Sequence, residues 1–464
     1  MTRLTLLVVL CGCTAGPPEF TEHYPAALDT ASVAAPATAP PTEEPQTGPL
    51  TFQACVSLAF MNNRAIRIAE RRILISRDRE RESLALVLPK LTFDTAYTNR
   101  SNKPGVALQG DNITTPALTI GQREVVTGSL SLIVPIYDFG GAANQRRADQ
   151  LRTDAFEMDS RRTRQELVLA VARAYNRVLE ARRIKEVVDE SIRAVSDQRR
   201  VAADFLKEGL VARNDLLVAD VQLADRQQTL IQAEHNIELA LAVLGRLVGR
   251  EVTDVSEIRD VPESERASES FQEALRVAID RRPDLAALRK QIEVARAEYK
   301  STQAGLRPRI YAFADYNASS DEFLLNQQWV SGGVALQFPL FDGGSTRARL
   351  RRQSKEMAEI ADLRDDRVDD IVLDVKRAFL LTREARLRIP VASKSIELAT
   401  ENLRMTKDQY AEGLVTSTDV LIEEERLARA KSNYFQALYS RQDAYARLQH
   451  ATGANAAWPL EDSQ

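Results

Sequence analysis

The sequence predicts a mainly α-helical chain that contributes a few β-strands to a barrel. It is built as two pseudo-repeated halves, each running helix, strand, strand, long helix, helix. Three observations predict this: an internal duplication, a period of two in matched short segments, and a run of 67 residues without glycine or proline between Gly141 and Gly209.

The duplication can be checked by arithmetic. Phe52-Gln53 returns as Phe271-Gln272, and at the same offset of 219 Ala59 matches Ala278, Ile73 matches Ile292 and Pro89 matches Pro308. Further on the offset is 204: Pro135-Ile136-Tyr137-Asp138 returns as Pro339-Leu340-Phe341-Asp342, Arg173-Ala174-Tyr175 as Arg377-Ala378-Phe379, and Gly209-Leu210-Val211 as Gly413-Leu414-Val415. The 15-residue difference falls in one connection, 99–124 in the first copy against 318–328 in the second. Length variation of that kind belongs in a surface loop. A solenoid would show many copies at shorter periods.

Each half opens with helical spacing. From Phe52 to about Val87, apolar Phe52, Val56, Ala59, Phe60, Ile66 and Ile73 recur at three or four residues, and Pro89 should end that helix. Strands are expected at about 90–99 and 124–137, and again at about 308–317 and 328–341. Alternation is clearest in Val126, Gly128, Leu130, Leu132, Val134 and Ile136, and in their copies Val330, Gly332, Val334, Leu336, Phe338 and Leu340. Long helices are then expected at about 142–208 and 345–412, each about 100 Å long at 1.5 Å per residue. Apolar steps of three and four (Val168, Ala172, Tyr175, Leu179) suit coiled-coil packing. Pro390, without a counterpart in the first copy, should kink or break the second rod. Both rods end at a glycine turn, Gly209 and Gly413, and a shorter helix returns.

Ahead of the repeats, Arg3 and the apolar run Leu4 to Leu10 read as an export signal over 1–12, and Leu10-Cys11-Gly12-Cys13 resembles a bacterial lipobox. Cleavage before Cys13 and acylation of its thiol are the expectation, with an ordinary signal peptide as the alternative. Residues 13–50, rich in Pro, Ala and Thr, read as a tether that cannot bury a core. The repeats occupy 51–250 and 270–454, with a linker at 251–269 and a tail at 455–464. With Cys11 removed and Cys13 lipidated, Cys55 has no disulfide partner.

Composition narrows function. Lys plus Arg total 62 against 66 Asp plus Glu, which gives no general field for nucleic-acid phosphates. His23, His235 and His450 are scattered, and Gly140-Gly141 and Gly343-Gly344 lack the Lys-Ser/Thr of a phosphate loop. No enzyme, cofactor or metal site is expected. Runs such as Arg161-Arg162-Thr163-Arg164 and Glu423-Glu424-Glu425-Arg426 read as solvated helix faces. No apolar run is long enough for a helical membrane span, but a β-barrel span gives a different, alternating signal. Four strands cannot close a barrel and open edges cannot face lipid, so several chains must share one. The competing reading is a periplasmic coiled-coil adaptor or scaffold that spans no membrane.

The duplicated element order, the P-[IL]-[YF]-D-x-G-G strand end at Pro135 to Gly141 and at Pro339 to Gly344 (read as one residue shorter), and the turns at Gly209 and Gly413 together resemble the TolC family of bacterial outer-membrane efflux channels. The resemblance runs from about Leu50 to Gly453. It implies a homotrimer with a 12-stranded barrel in outer-membrane lipid and an α-helical barrel across the periplasm. It also implies partners, a periplasmic adaptor and an inner-membrane pump. By this resemblance the glycine turns are periplasmic tips: Gly209, Leu210, Val211, Gly413, Leu414 and Val415 would contact the adaptor, and Asp215, Tyr410 and Asp419 would form the gate. Val415 and Ile422 stand where family members carry a basic residue and a second acidic ring. Asp215 and Asp419 also read as helix-start residues, and Tyr410, like Phe205, as a packing residue.

Overall fold

The computed structural model describes residues 50–106, 109–110, 113–114, 118–254, 258–259 and 270–454. The signal, Cys13, most of the tether, parts of the linker and the tail lie outside them.

In chain order the elements are α1 (Phe52–Asn62), α2 (Arg64–Leu84), a 3-10 turn at Ala85–Val87, and β1 (Lys90–Asn99). Four short strands follow: β2 (Gly105–Val106), β3 (Gln109–Gly110), β4 (Ile113–Thr114) and β5 (Leu118–Thr119). Then come β6 (Glu124–Tyr137), α3 (Gly141–Lys207), α4 (Arg213–Val248), α5 (Phe271–Arg281), α6 (Pro283–Ala304), β7 (Arg309–Ser319), β8 (Gln328–Gln337), α7 (Ser345–Ala411) and α8 (Ser417–Ala451). The long connection of the first copy is thus not plain loop: β2 pairs with β5 and β3 with β4.

The opening helix expected as one piece is two. Asn63 is extended at φ -71 and ψ 129, caps α2 by accepting from Ala65 N, and gives its amide to Leu247 O at the end of α4. Its repeat counterpart Arg282 is likewise extended, with Pro283 opening α6. Periodicity crosses such a break unchanged because both pieces bury the same side; the cap residue is the local signal.

Pro390 does not break α7, which is continuous from Ser345 to Ala411. The ring removes one N–H, so the cost is one helical bond in a helix of 67 residues. The strand-end motif is the same length in both halves. Phe139 and Gly140 at φ 56 and 84 match Gly343 and Gly344 at 66 and 81. Asp138 accepts from Gly140 N and Ala142 N as Asp342 accepts from Gly344 N and Thr346 N. Phe139 therefore stands where the second copy has Gly343, at roughly 1 kcal/mol for a side chain in the left-handed region.

β1, β6, β7 and β8 form one antiparallel sheet in that order. The register puts Leu91, Phe93 and Tyr97 opposite Leu132, Leu130 and Val126, and sets Leu130 against Tyr316 and Tyr316 against Val330. One face is therefore mainly apolar, with Thr95 and Gln328 as polar members near its far end, and Val330, Val334 and Leu336 are about two-thirds or more exposed on it. The other face carries Asp94, Ser129, Ser131, Asp315, Asn317 and Ser331. β8 stops at Gln337, short of the expected 341.

The two main cores repeat each other. Phe52 meets Tyr175 edge-on at 6.0 Å, and their counterparts Phe271 and Phe379 meet at 6.2 Å. The first core gathers Val171, Val178, Leu179, Leu244 and Val248; the second gathers Ala274, Leu285, Ile371 and Val375. The linker joins in: Ile258 bridges to Leu50, and Tyr175 donates its hydroxyl to Leu50 O at 3.0 Å and Arg259 O at 2.6 Å. Cys55 is buried and free, and burial pushes its thiol up to about 11, against a smaller opposing pull from Arg250.

Candidate functional site at the helix tips

The two rods end alike. Gly209 (φ 73) and Gly413 (φ 75) take the left-handed conformation that only glycine adopts freely. Leu210 N then reaches back to Phe205 O and Leu414 N to Gln409 O, both at 2.9 Å, which satisfies carbonyls the helix would leave open. The next side chains, Leu210 and Leu414, stand 69% and 70% exposed, while Val211 and Val415 are half-buried. Val415 packs with Phe205 and Leu427 against a cluster of Leu403, Tyr410 and Val420.

The matched acids differ in what they do. Asp419 forms a capping box: its Oδ2 accepts from Thr416 N at 2.8 Å and from Thr416 Oγ at 2.7 Å. Those bonds hold its carboxyl below the usual carboxylate range. Asp215 occupies the same third position of α4, but the cap residue there is Ala212, which has no hydroxyl to offer. Its carboxylate instead lies close enough to Tyr410 to act on it electrostatically. Burial pushes the tyrosine titration up, against an opposing contribution from Ser417, and the Asp215 charge adds the smallest upward push. The Tyr410 hydroxyl makes no hydrogen bond of good geometry, and its ring sits 5.6 Å from Phe205. So Tyr410 packs against Phe205 within the tip cluster, Asp419 caps the start of α8, and Asp215 acts on Tyr410 through its charge alone.

The two tips are held side by side. Gln198 of α3 donates to the buried Ser417 Oγ of α8 at 3.2 Å, and Val195, Ala219 and Leu421 pack together beneath. One part of this contact was missed by reading charge runs as solvated. Glu423 and Glu424 are buried, with Glu424 paired to Lys407 at 2.5 Å and Glu423 accepting from Asn402 at 2.5 Å. Arg426, three residues on, also pairs with Glu423, but Asn402 and Lys407 lie on the antiparallel helix α7, where no local spacing marks them. Ile422, between these and Asp419, is exposed.

Known proteins identify this arrangement. The chain matches the family described as "Outer membrane efflux protein" over residues 55–250 and 274–454. This chain belongs to the outer membrane efflux protein family. Its fold is that of the outer-membrane channel OprN, with a TM-score of 0.74 at 19% identity over 87% of this chain and 90% of that one. By sequence it is 28% identical to the alkaline protease secretion protein AprF of Pseudomonas aeruginosa over 335 residues, 70% of this chain and 69% of that protein. It is 22% identical to the proteases secretion protein PrtF of Dickeya chrysanthemi over 404 residues, 85% and 86% of the two chains. This efflux-family chain is thus an outer-membrane efflux protein, and the adaptor reading is set aside. Members of the family are channels, not enzymes. Among the described residues no group of His, Cys, Asp and Glu could hold a metal, and no helix is long and apolar enough to cross a membrane.

Proposed function

We propose that three copies of this chain form the passive exit duct of a tripartite export system. Each would give four strands to a 12-stranded outer-membrane barrel and its rods to a helical barrel across the periplasm. The observation that carries this reading is that contacts within each half are made in both copies, whereas contacts between the halves are made on one side and lack their symmetry-related counterpart within one chain. β6 pairs β7, but the mirror-related edges β8 and β1 are left open; α3 packs α6 and α8, but α7 does not pack against α2 and α4. The same elements carry exposed apolar side chains: Ile68, Leu74 and Ile75 on α2, Leu217, Val221 and Ile231 on α4, Leu380, Leu387 and Leu398 on α7. A second copy would cover them.

In this reading an adaptor docks on the tips, through exposed Leu210 and Leu414 beside Gly209, Val211, Gly413 and Val415, and an inner-membrane pump drives the cargo. Asp215, Tyr410 and Asp419 sit at the periplasmic closure. The relatives named for protease secretion support a polypeptide cargo. Cys13 anchors the N-terminus to lipid. The test removes that anchor with Cys13→Ser: the protein should stay in the membrane fraction, survive mild SDS as a trimer and conduct in planar bilayers. Recovery as an aqueous monomer would end the proposal.

A further inference from the structure

We infer that Arg307, Phe139 and Tyr137 form a binding site for the phosphodiester headgroup of an inner-leaflet phospholipid, at the periplasmic rim of the sheet. This rests on the sheet being embedded in the outer membrane. The site starts with an irregularity. The register of β6 on β7 shifts between Pro135 and Tyr137, so that Tyr137 comes to lie opposite Ile310. Side chains directly opposite share a face, and Ile310 belongs to the apolar face through its partner Leu336. The bulge thus swings Tyr137, half exposed, to the lipid side at the end of the strand.

From there the contacts run outward. The Tyr137 and Phe139 rings lie 4.7 Å apart, and the Arg307 guanidinium sits 5.6 Å from the centre of the Phe139 ring. Phe139 is the one non-glycine residue with positive φ among the described residues, and the second copy has Gly343 at that place. Backbone strain that a glycine would relieve is retained here together with an aromatic contact to a cation. Arg307 is exposed and makes no ion pair among the described residues. The carboxylate next to Phe139, Asp138, is occupied by Gly140 N and Ala142 N.

The occupant follows from charge and position. Aromatic rings at the edge of an apolar face mark the headgroup level of a bilayer, and a free guanidinium there presents a planar fork that matches a phosphate. An anionic headgroup should bind more tightly than a zwitterionic one, whose ammonium the arginine repels. The second half has no such site: the residue matching Arg307 is Leu88, and Gly343 replaces the ring. β6 and β7 are inner strands, so the site is not at the edge that another copy would cover.

The test titrates the purified full-length assembly in detergent with phosphatidylglycerol or phosphatidylethanolamine and reads bound lipid by native mass spectrometry. Wild type should retain phosphatidylglycerol in preference, and Arg307→Gln should weaken it about tenfold, the scale of one charge-assisted hydrogen bond, and remove the preference. Arg307→Lys should fall between, and Phe139→Gly should weaken binding without loss of assembly. Equal binding of both lipids by wild type, or unchanged phosphatidylglycerol binding by Arg307→Gln, would overturn the site. If those results came from protein that fractionates with the outer membrane and conducts, the channel reading would stand. Protein absent from that fraction would remove both.

Discussion

Asp284 offers the sharpest test of how the second repeat is locked to its rod. It lies just past the extended Arg282 that divides α5 from α6, and both side chains are nearly buried, at 9% and 6% exposure. Arg282 donates to it at 3.1 and 2.6 Å, and Arg367 of α7 reaches it at 2.9 Å through Nε and 2.7 Å through a terminal nitrogen. Burial alone would raise the carboxyl, but the hydrogen bonds and charges of Arg282 and Arg367 outweigh it and bring the pKa from 3.8 down to about 2. A folded-state value below the unfolded one stabilises the fold above the unfolded pKa, and the contribution is lost as pH falls through the folded one. The shift corresponds to about 2 kcal/mol, complete above pH ~4 and fading toward pH ~2. Asp284→Asn should therefore cost about 2–4 kcal/mol at pH 7, since Arg282 is left buried with only Asp374 at 3.5 Å. Unfolding of the detergent-solubilised protein by urea, followed by circular dichroism at pH 7, 4 and 2, reads both numbers. The gap between wild type and variant should narrow as pH falls, while exposed Asp280→Asn should stay within about 0.5 kcal/mol of wild type. A gap that is absent at pH 7, or as large at pH 2, would refute the coupling.

Two further predictions concern the tips. Tyr410→Phe should change stability by no more than about 0.5 kcal/mol and leave closure intact, because its hydroxyl makes no good hydrogen bond, whereas Tyr410→Ala should cost about 3 kcal/mol or more and raise leak conductance; a Tyr410→Phe channel as leaky as Tyr410→Ala would restore a hydroxyl link to Asp215. Asp419→Asn should weaken block by trivalent cations added at the periplasmic side, and block of the wild type should persist into mildly acidic solution because Thr416 holds the carboxyl in its charged form. Thr416→Ala, which keeps that charge, separates the roles: an equal loss of block would assign the effect to helix-start geometry, and unchanged block in Asp419→Asn would take Asp419 out of the ion path.

Much of the fold was legible because it is written twice. The strand faces, both rods and the glycine turns follow from periodicity and from residues with one conformational meaning, and the duplication supplied a second reading of each. What escaped was set by partners distant in sequence or by a single residue. The break at Asn63 depends on its amide reaching Leu247 O, the burial of Glu423 and Glu424 depends on Asn402 and Lys407 across the hairpin, and the docking of Ile258 depends on Leu50. The strand-end motif was misread because Phe139 holds a conformation that sequence assigns to glycine. At the tips, the residue types marked the place, but the division of labour between Asp215 and Asp419 turned on Ala212 against Thr416 at the cap.

The number of strands per chain matters as much as their edges. β1, β6, β7 and β8 alternate in direction, so with an even number the two edges of one chain run opposite ways. When identical copies are arranged by rotation about an axis, the β8 edge of one then meets the β1 edge of the next antiparallel, in the same sense as the pairings already inside the chain. An odd number would force a parallel seam between copies. The helices obey the same rule, because α6 already sits between α3 and α7 within the chain, while α2 lies on α3 with its other flank, Ile68 and Ile75, open. Rotation places the next copy's α2 against this chain's α7 and reproduces the internal packing. Closure therefore needs no new type of contact, only the repetition between chains of contacts the duplication had already built within one, and lipid makes that closure obligatory because an unpaired backbone edge in hydrocarbon costs several kcal/mol per group.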